Sequence, residues 1–552
     1  MPESIETSVL VVGAGPIGLS TAIDLGWRGI DCVLLEQGDG VLDHPKVGFI
    51  AVRTMEFCRR WGIVERIRAC GFPDDFKLDV VYCTSMTGHL LEREPYPSQG
   101  ELAPPPESPE KKQRCPQLWF DPILARVAGE LDSVKLRYQC RLDSFEQGAG
   151  HVTAQAVDLG TGAPLTIRAQ YLVGCDGMTS AIRRQLGIGR QGKVLTYSAG
   201  YLLRIPDFFS LHRLGQAERY IFVGPLGAWG NFTVVDGKDL WRLTLIGSDA
   251  QTDFPDADAA AHVRRALGRD DVPFEILTFK PWRRTELIAD RFRDGRVFLA
   301  GDAAHTMSPT GGFGMNTGIG DSVDLGWKLE AVLRGWGGPR LLDSYEIERR
   351  PVAIRNASAA TTYFRAWQSA ADCSAILEDS PEGKRTRRAV GEHLRSALLG
   401  EWESMGVQIG YRYEDSPICV RDGTPAPPDK FMEYIATTRA GARAPHAWLP
   451  DGRSTLDLFG RGFALLRLGA AAPDPGPLVR AARSRGVPLS VTQIDAPAIA
   501  ALYERKLVLV RPDGHVAWRG DTLSGDAKAL LDTVRGAGRQ QPVQADAPRI
   551  SA

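Results

Sequence analysis

A glycine-rich turn near the N-terminus has the residue types and spacing that suit a bound pyrophosphate. It consists of Gly13, Ala14, Gly15, Pro16, Ile17 and Gly18, the pattern G-x-G-x-x-G. Glycines permit a tight turn and a close approach of the backbone to phosphate oxygens, and the N-terminus of a following helix adds a favourable dipole. Glu36 ends the next apolar run, 18 residues after Gly18, where an acid can accept hydrogen bonds from a ribose. We therefore predict dinucleotide binding, with NAD and FAD both open at this point.

Two further glycine-containing motifs end apolar runs later in the chain. One is Gly174-Cys175-Asp176-Gly177, followed by Ser180 and Arg183. The other consists of Gly301, Asp302, Ala303, Ala304 and His305, and then Pro309, Gly311, Gly312, Phe313, Gly314, Met315 and Asn316. A carboxylate at Asp302 can accept hydrogen bonds from polyol hydroxyls, although an Asp in such a turn can also simply cap a helix. The glycines ahead of a long helical pattern can direct backbone N–H groups at a ligand.

These three motifs, in this order, resemble the signatures of the single-component FAD-dependent aromatic hydroxylases, the family of para-hydroxybenzoate and phenol hydroxylases. The resemblance extends from Ser8 to about Ala353 and, more loosely, to the C-terminus. It implies an enzyme that binds FAD, takes NAD(P)H as a transient co-substrate and uses O₂. In this family a flavin C4a-hydroperoxide hydroxylates an electron-rich ring. The substrate implied for this chain is a phenolic or polyketide-type aromatic.

The resemblance also implies roles for individual residues. The implied cofactor-binding set is Gly13, Gly15, Pro16, Ile17, Gly18, Glu36, Lys46, Gln117, Asp176, Asp302, Pro309, Gly311, Gly312, Phe313, Gly314, Met315 and Asn316. Asp302 would bind the ribityl chain, and residues 311–316 would face one edge of the flavin ring. Asp176 and Arg183 would act at the pyrophosphate and the NAD(P)H approach, or instead close a turn as a salt bridge. Lys46 is at a position where many relatives carry Arg. An Arg side chain can form two parallel hydrogen bonds and stack on a ring, whereas Lys provides only a point charge.

One tyrosine is our candidate for contact with a phenol oxygen and hence for a catalytic role. Tyr220 shares a face with Phe222 in a strand-like run, among other aromatic residues that predict an apolar, planar substrate. The alternative is a tyrosine packed on a sheet with its hydroxyl in solvent. We assign no metal ligands.

Periodicity and turn residues place these motifs on an α/β fold. Ser8–Val12, Pro16–Arg28 and Cys32–Leu35 have the patterns of a strand, a helix and a strand, which open a Rossmann-like FAD-binding domain. Runs between Tyr197 and Gly247 alternate with turns and predict an antiparallel sheet that forms a substrate wall. A loop rich in Pro and acids between Glu92 and Lys112 is predicted to lie on the surface.

We predict three domains: the FAD-binding domain, an inserted mixed β-sheet substrate domain, and a C-terminal α/β domain. The last resembles the thioredoxin-like domain of the phenol-hydroxylase branch of the family. The predicted limits are 1–75, 116–190 and 284–404 for the FAD-binding domain with its connecting helices, 76–115 and 191–283 for the substrate domain, and 405–540 for the thioredoxin-like domain. The last domain has no cysteine after Cys419, so dithiol exchange is excluded there. Packing or oligomer contacts are its expected purpose, and a homodimer is the expected assembly.

Composition narrows the class of protein. Across 552 residues, 66 Lys and Arg balance 67 Asp and Glu, so no global charge attracts nucleic acid. No segment has about 18 or more consecutive apolar residues, and no membrane association is predicted. The nine cysteines include no C-x-x-C pair, which argues against a disulfide scaffold or a zinc site and for a cytoplasmic setting.

Two alternatives to hydroxylation keep the flavin. One is a dehydrogenase or reductase of the same fold that transfers no oxygen. The other is a flavin-binding protein without turnover.

Overall fold

We describe a computed structural model of the chain, which covers residues 3–42, 44, 48–247, 259–369, 371–523 and 525–538. Its strands are β1 (Glu3–Val12), β2 (Cys32–Leu35), β3 (Phe49–Ile50), β4 (Val80–Cys83), β5 (Leu90–Glu94), β6 (Gln113–Arg114), β7 (Val134–Arg137), β8 (Cys140–Gln147), β9 (Val152–Asp158), β10 (Pro164–Gly174), β11 (Arg190–Arg204), β12 (Arg219–Gly224), β13 (Gly227–Val234), β14 (Leu240–Ile246), β15 (Glu275–Ala289), β16 (Arg293–Asp294), β17 (Val297–Leu299), β18 (His305–Thr306), β19 (Phe463–Leu468), β20 (Leu489–Ile494), β21 (Leu507–Val510) and β22 (Val516–Gly520). Its helices are α1 (Pro16–Trp27), α2 (Val52–Trp61), α3 (Val64–Arg68), α4 (Gln117–Gly129), α5 (Ala181–Gln185), α6 (Ala259–Leu267), α7 (Phe313–Leu333), α8 (Asp343–Trp367), α9 (Pro381–Trp402), α10 (Met405–Ile409), α11 (Gly476–Ser484), α12 (Pro497–Tyr503) and α13 (Ala527–Val534). Across those ranges, no helix has the length and apolar character of a membrane span.

The first sheet brings the three glycine motifs to one edge. Its central order is β16-β17-β10-β1-β2-β7, with β9 paired to β10 and β8 paired to β9. Parallel pairing places Val12 beside Gly174, and Gly174 beside Leu299. These residues end β1, β10 and β17, so the turns that follow them meet at the carboxyl edge of the sheet, where ligands bind in open α/β folds. The predicted strand–helix–strand opening is confirmed, with the helix ending at Trp27.

The second sheet has eight strands in the order β18-β15-β11-β14-β13-β12-β4-β5. Its pairs are antiparallel except for β12 with β4. The predicted antiparallel sheet is therefore confirmed, with one parallel pair added. Tyr201, Leu203 and Trp241 lie in its apolar core and are fully buried.

The loop after β5 has exposed residues, as predicted, at 95, 97, 100–101, 103–104 and 106, but two parts of it are buried. Glu110 is buried, and its carboxylate pairs with Arg59 at 3.0 Å and Arg68 at 2.6 Å. Gln99 is also buried, and it accepts a hydrogen bond from the backbone N–H of Arg114 at 2.8 Å. Because these polar groups are satisfied by partners, the buried parts of the loop can leave solvent, and Glu110 packs against α2 and α3.

The third sheet, β20-β19-β21-β22, belongs to the C-terminal region. β19 is parallel to β20 and antiparallel to β21, with α11 and α12 in the connections, which is a thioredoxin-like arrangement. One face packs on Trp327 of α7 and on Trp336, and the ring centroids of Trp327 and Phe463 lie 6.1 Å apart. The C-terminal sheet therefore shares a core with the helices of the first sheet.

Candidate active site

A cavity of about 810 Å³ lies between the first and second sheets, within the usual size range of ligand pockets. At one end, which we name the cofactor end, it is lined by Gly15, Pro16, Ile17, Glu36, Gln117, Asp302, Pro309, Gly311, Gly312, Gly314 and Met315, among others. At the other, the sheet end, the lining includes Tyr96, Lys112, Arg114, Glu218, Arg219, Arg242, Glu401 and Trp402. Acidic groups predominate at the first end and cations at the second.

The first glycine motif forms a turn in which two positions can be occupied only by glycine. Gly13 has φ +101°, and a Cβ there would lie 2.4 Å from the carbonyl oxygen of Cys175. A Cβ on Gly18 would lie 1.8 Å from the carbonyl oxygen of Gly13. Gly15 is different, because a Cβ there would meet no atom within 4 Å. The first two glycines therefore build the turn, and Gly15 faces the cavity at the N-terminus of α1.

Glu36 is held in place by the same turn. Its Oε2 accepts a hydrogen bond from the Ala14 N–H at 2.8 Å, and its Oε1 accepts one from the Gly38 N–H at 2.7 Å. Each carboxylate oxygen keeps a further lone pair for hydroxyl donors. The open face at Gly15, the helix N-terminus and this oriented acid fit the pyrophosphate and ribose of a dinucleotide.

The second motif has a local structural role at its two charged residues. Asp176 Oδ2 accepts a hydrogen bond from the Ile182 N–H at 3.1 Å, at the start of α5. Arg183 Nη1 donates to the carbonyl of Ile188 at 2.6 Å. Cys175 and Gly177, on either side of Asp176, line the cavity. Backbone groups therefore hold the side chains of Asp176 and Arg183. The two residues do not form the salt bridge that was the alternative prediction.

The third motif lines the cavity from Asp302 to Met315. Asp302 is exposed at a short 3₁₀ turn and contributes to the cavity wall. Gly311 and Gly312 have φ +78° and +68°, in the left-handed region, and α7 begins directly after them. The Asn316 side chain points away from the cavity, and its Oδ1 accepts a hydrogen bond from the Ala51 N–H at 2.9 Å.

Asp321 supports this loop from behind, a function that the sequence did not indicate. It is fully buried, and Oδ2 accepts hydrogen bonds from Gly301 N–H at 3.1 Å and His305 Nε2 at 2.7 Å. Its Oδ1 accepts from Arg349 Nε at 2.8 Å. Burial alone would raise the pKa of Asp321, but His305 and Arg349 outweigh that effect and lower the pKa below its usual value. The turn that carries Asp302 is therefore fixed by a charged residue of α7.

At the sheet end, four cations surround two carboxylates. Arg114 pairs with Glu218, and Arg219 pairs with Glu401 at 3.0 Å. Burial lowers the pKa of Arg242 to about 10, and the neighbouring charges of Arg219 and Arg114 act in the same direction.

Aromatic rings hold two of these cations in position. Lys112 Nζ lies 5.4 Å from the Tyr96 ring centroid, and the Arg219 guanidinium carbon lies 4.7 Å from the Trp402 ring centroid. This end of the cavity therefore combines positive charge with flat apolar surface.

Glu401 connects the two ends of the cavity. The residue is 5% exposed and lies near the end of α9. Its Oε1 accepts hydrogen bonds from Arg219 and, at 3.4 Å, from the Gly311 N–H, while Oε2 accepts from Trp367 Nε1 at 2.7 Å. Sequence patterns gave no signal for it, because it is 90 residues from the loop that it contacts.

The structure corrects the expectation that Tyr220 contacts a substrate oxygen. Tyr220 is fully buried and packs among Phe208 and Trp241, apart from the lining of the cavity. Its hydroxyl donates to the backbone carbonyl of Gly215, and burial raises its pKa above the usual value. A strand has two faces, and period-2 alternation does not tell which of them faces the cavity.

Of the other predicted residues, five lie behind the wall of the cavity: Gly13, Gly18, Asp176, Phe313 and Asn316. Gln117 lies at the start of α4 on the cavity wall, and its Nε2 donates to Asp121 at 3.0 Å. Lys46 lies outside the described residues.

Comparison with known proteins shows the family of the chain. Residues 6–360 match a family model described as an FAD binding domain, and residues 437–537 match the C-terminal domain of aromatic-ring hydroxylases. The chain therefore belongs to the FAD-dependent aromatic-ring hydroxylases. It is an FAD-dependent monooxygenase that takes reduced nicotinamide and O₂ as co-substrates, as the resemblance implied.

Several relatives cover nearly the whole chain. Tetracenomycin B2 monooxygenase-dioxygenase from Streptomyces olivaceus is 34% identical over 563 residues, covering 96% of this chain and 98% of that protein. RebC, soaked with chromopyrrolic acid and containing bound 7-carboxy-K252c, is 43% identical with a TM-score of 0.90, covering 97% of this chain and 100% of that one. Aklavinone-11 hydroxylase in a ternary complex with FAD and aklavinone is 30% identical with a TM-score of 0.80, covering 96% and 99%.

Proposed function

We propose that this monooxygenase oxygenates a planar, fused-ring aromatic substrate that carries a carboxylate. The observation that carries the proposal is the sheet end of the cavity, where Lys112, Arg114, Arg219 and Arg242 outnumber two carboxylates. Guanidinium groups bind a carboxylate in a forked geometry, and a buried cluster of cations favours an anion. Tyr96 and Trp402 supply the flat surface against which fused rings stack.

The ligand of one related protein supports the same substrate class. RebC was soaked with chromopyrrolic acid and contains a carboxylated compound, 7-carboxy-K252c. The phenolic or polyketide-type aromatic expected from the sequence therefore becomes an acidic aromatic here.

The cofactor end supplies the groups that we assign to FAD. Gly15 and the N-terminus of α1 would face the pyrophosphate, Glu36 the ribose, and Asp302 the ribityl hydroxyls. The backbone of residues 311–315 would face the ring, where the start of α7 favours negative charge. When bound, FAD supplies the transfer of electrons from NAD(P)H to O₂ and of one oxygen atom to the substrate.

The chain's own residues then have three tasks. Arg242 and Arg219 bind and orient the substrate carboxylate, so that the opposite part of the ring system points at the cofactor end. Tyr96 and Trp402 pack against the rings and exclude water from the sheet end. Glu401 fixes the distance between Gly311 and Arg219, and hence between the cofactor loop and the substrate.

A panel of matched aromatics tests the substrate class. The purified holoenzyme is assayed for NAD(P)H oxidation and hydroxylated product with polycyclic acids and with the methyl ester of each acid. We expect the KM of an acid to be roughly ten- to a hundredfold lower than that of its ester. This ratio corresponds to the free energy of one hydrogen bond between charged groups. Equal KM values for acid and ester would contradict the proposal.

Two arginine variants test whether the sheet end of the cavity causes the preference for the acid over its ester. Arg242→Gln should remove most of the preference for the acid. Arg204→Gln is the matched control, because Arg204 lies on the same sheet but is exposed and pairs with Glu275 at 2.8 Å. It should keep the preference.

We also propose the domain limits given above, a homodimer and a cytoplasmic setting. All nine cysteines are free, which supports a reducing compartment. Closed two-fold assemblies are the commonest oligomers of soluble enzymes, which supports the dimer. Limited proteolysis tests the domain limits and light scattering the dimer, which a monomeric mass would contradict.

A further inference from the structure

A second cavity, of about 220 Å³, lies where the C-terminal end of α2 meets the C-terminal domain. Helix α2 contributes Arg53, Glu56, Arg59 and Arg60 to it, and Asp457 lies on the opposite wall. None of its described lining residues belongs to the three glycine motifs or to the sheet end. It is therefore separate from the site proposed for catalysis.

The carboxylates of this second cavity already have arginine partners. Glu56 accepts from Arg53 at 2.7 Å and from Arg443 Nε at 3.0 Å. Asp457 pairs with Arg59 at 2.7 Å. Arg60 also lines the cavity, is half-buried and lies over the Phe57 ring, and it forms no ion pair with a carboxylate in the described part of the chain. The cavity thus holds an excess of positive charge.

Two neighbouring arginines, Arg53 and Arg28, add positive charge around Arg60. The pKa of Arg60 is lowered to about 10, mainly by burial and further by the charges of Arg53 and Arg28. Asp24 and Asp513 act in the opposite direction, but each already binds an arginine, at 2.7 and 2.6 Å respectively.

Three arginines line the cavity against two carboxylates, and Arg60 is the arginine without a carboxylate partner among the described residues. Water would leave this excess charge, whereas an oxyanion at the cavity wall balances it. Guanidinium forks match the oxygens of phosphate. We propose that the second cavity binds a small inorganic oxyanion of the phosphate class through Arg60, and that the ion joins α2 to the C-terminal domain.

Titration with inorganic phosphate tests this site. The FAD-loaded protein is used, so that the cofactor end is occupied, and chloride keeps the ionic strength constant. We expect phosphate to raise the Tm in a saturable manner and to bind with measurable heat. Arg60→Gln should weaken phosphate binding roughly ten- to a hundredfold. This factor corresponds to the free energy of one hydrogen bond between charged groups.

Control variants separate this effect from a general loss of charge or of folding. Arg480→Gln removes an exposed arginine of the C-terminal domain and should bind phosphate as the wild type does. Arg60→Lys keeps the positive charge but lacks the forked guanidinium group, so it should bind phosphate more tightly than Arg60→Gln does. The proposal is overturned if phosphate stabilises the protein no more than chloride does, if acetate is as effective as phosphate, or if Arg60→Gln binds phosphate like the wild type.

Discussion

Glu401 bridges the cofactor loop and the substrate sheet at the wall of the cavity. Its carboxylate accepts hydrogen bonds from Gly311, Arg219 and Trp367, which belong to three different segments. Small displacements between reacting groups cost large factors in rate, so a residue that fixes this distance influences the outcome of each turnover. We regard Glu401 as a positioning residue.

Replacing Glu401 with Gln should uncouple NAD(P)H oxidation from product formation. The amide cannot balance the charge of Arg219, and its Nε2 cannot accept the hydrogen bond of Trp367. We expect the ratio of product to NAD(P)H consumed to fall about tenfold while FAD content is kept. Glu392→Gln, an exposed change on the same helix, is the control. An unchanged ratio in Glu401→Gln would argue against the positioning role.

Two glycines of the first motif should respond differently to alanine. Gly18→Ala places a methyl group 1.8 Å from a carbonyl oxygen, so it should disrupt the turn and lower both the Tm and FAD content. Gly15→Ala places it in open space, so the protein should keep its Tm but bind FAD more weakly, because the methyl group occupies the face assigned to the pyrophosphate. Thermal unfolding and FAD titration distinguish the two. Equal FAD affinity in Gly15→Ala and wild type would contradict the assignment of Gly15.

Residues of the local motifs could be predicted from the sequence, and residues brought together by the fold could not. Gly15, Glu36 and Asp302 lie in short patterns whose chemistry is visible in the chain itself. Glu401 and Asp321 act through contacts with residues 90 and 20 positions away, which no spacing rule encodes. The same reason explains Tyr220, whose face of the sheet is decided by tertiary packing.

At the scale of elements, α2 links the cofactor region to the C-terminal domain. Glu56, near its middle, binds both Arg53 and Arg443 and is buried. Burial alone would raise the pKa of Glu56, but the charges of Arg443 and Arg53 outweigh it and lower the pKa to about 2. The ionised carboxylate therefore stabilises the contact between α2 and the C-terminal domain at neutral pH.

This pKa gives the stability of the protein a defined pH dependence. Because the folded pKa lies below the unfolded value, the contribution of Glu56 is present above about pH 4.5 and is lost as the pH falls towards 2. Glu56→Gln should cost about 3–5 kcal/mol at pH 7, since it leaves two buried arginines unpaired. The difference between wild type and variant, measured by urea unfolding, should shrink below pH 4.5. A constant difference would contradict this account.

The order of the elements was largely predictable, and their lengths were less so. Strand and helix periodicity indicated β1, α1 and β2 and the runs of the second sheet. The helical pattern after the third motif predicted α7 but not its beginning at Phe313, because the glycines of its first turns carry no periodic signal. The buried parts of the loop after β5 were not predicted, because their polar residues are satisfied by arginines elsewhere in the chain.

At the scale of the whole molecule, the C-terminal domain contributes charge to the interior of the FAD-binding part. Arg511 is fully buried and binds Glu348 at 2.6 Å and Asp324 at 3.0 Å, on α8 and α7. Without Arg511 these carboxylates would lose a buried partner. The domain is thus required for the stability of the helices behind the cofactor end.

Arg511→Met should therefore destabilise the entire protein. Removing one partner of a buried ion pair costs about 3–5 kcal/mol, so the urea midpoint and FAD retention should fall together. Arg480→Gln, an exposed change in the same domain, should leave both unchanged. Loss of structure confined to the C-terminal domain, with FAD retention kept, would contradict the shared interior.

The incorporation of oxygen from ¹⁸O₂ by the FAD-loaded enzyme, with NAD(P)H and an acidic polycyclic aromatic, tests the central claim most directly. The account predicts a product one ¹⁸O atom heavier, formed in step with NAD(P)H oxidation and absent without FAD. An oxidised product with no ¹⁸O would indicate the dehydrogenase or reductase alternative. Failure of every aromatic to accelerate NAD(P)H oxidation would indicate flavin binding without turnover, and either result would contradict the account.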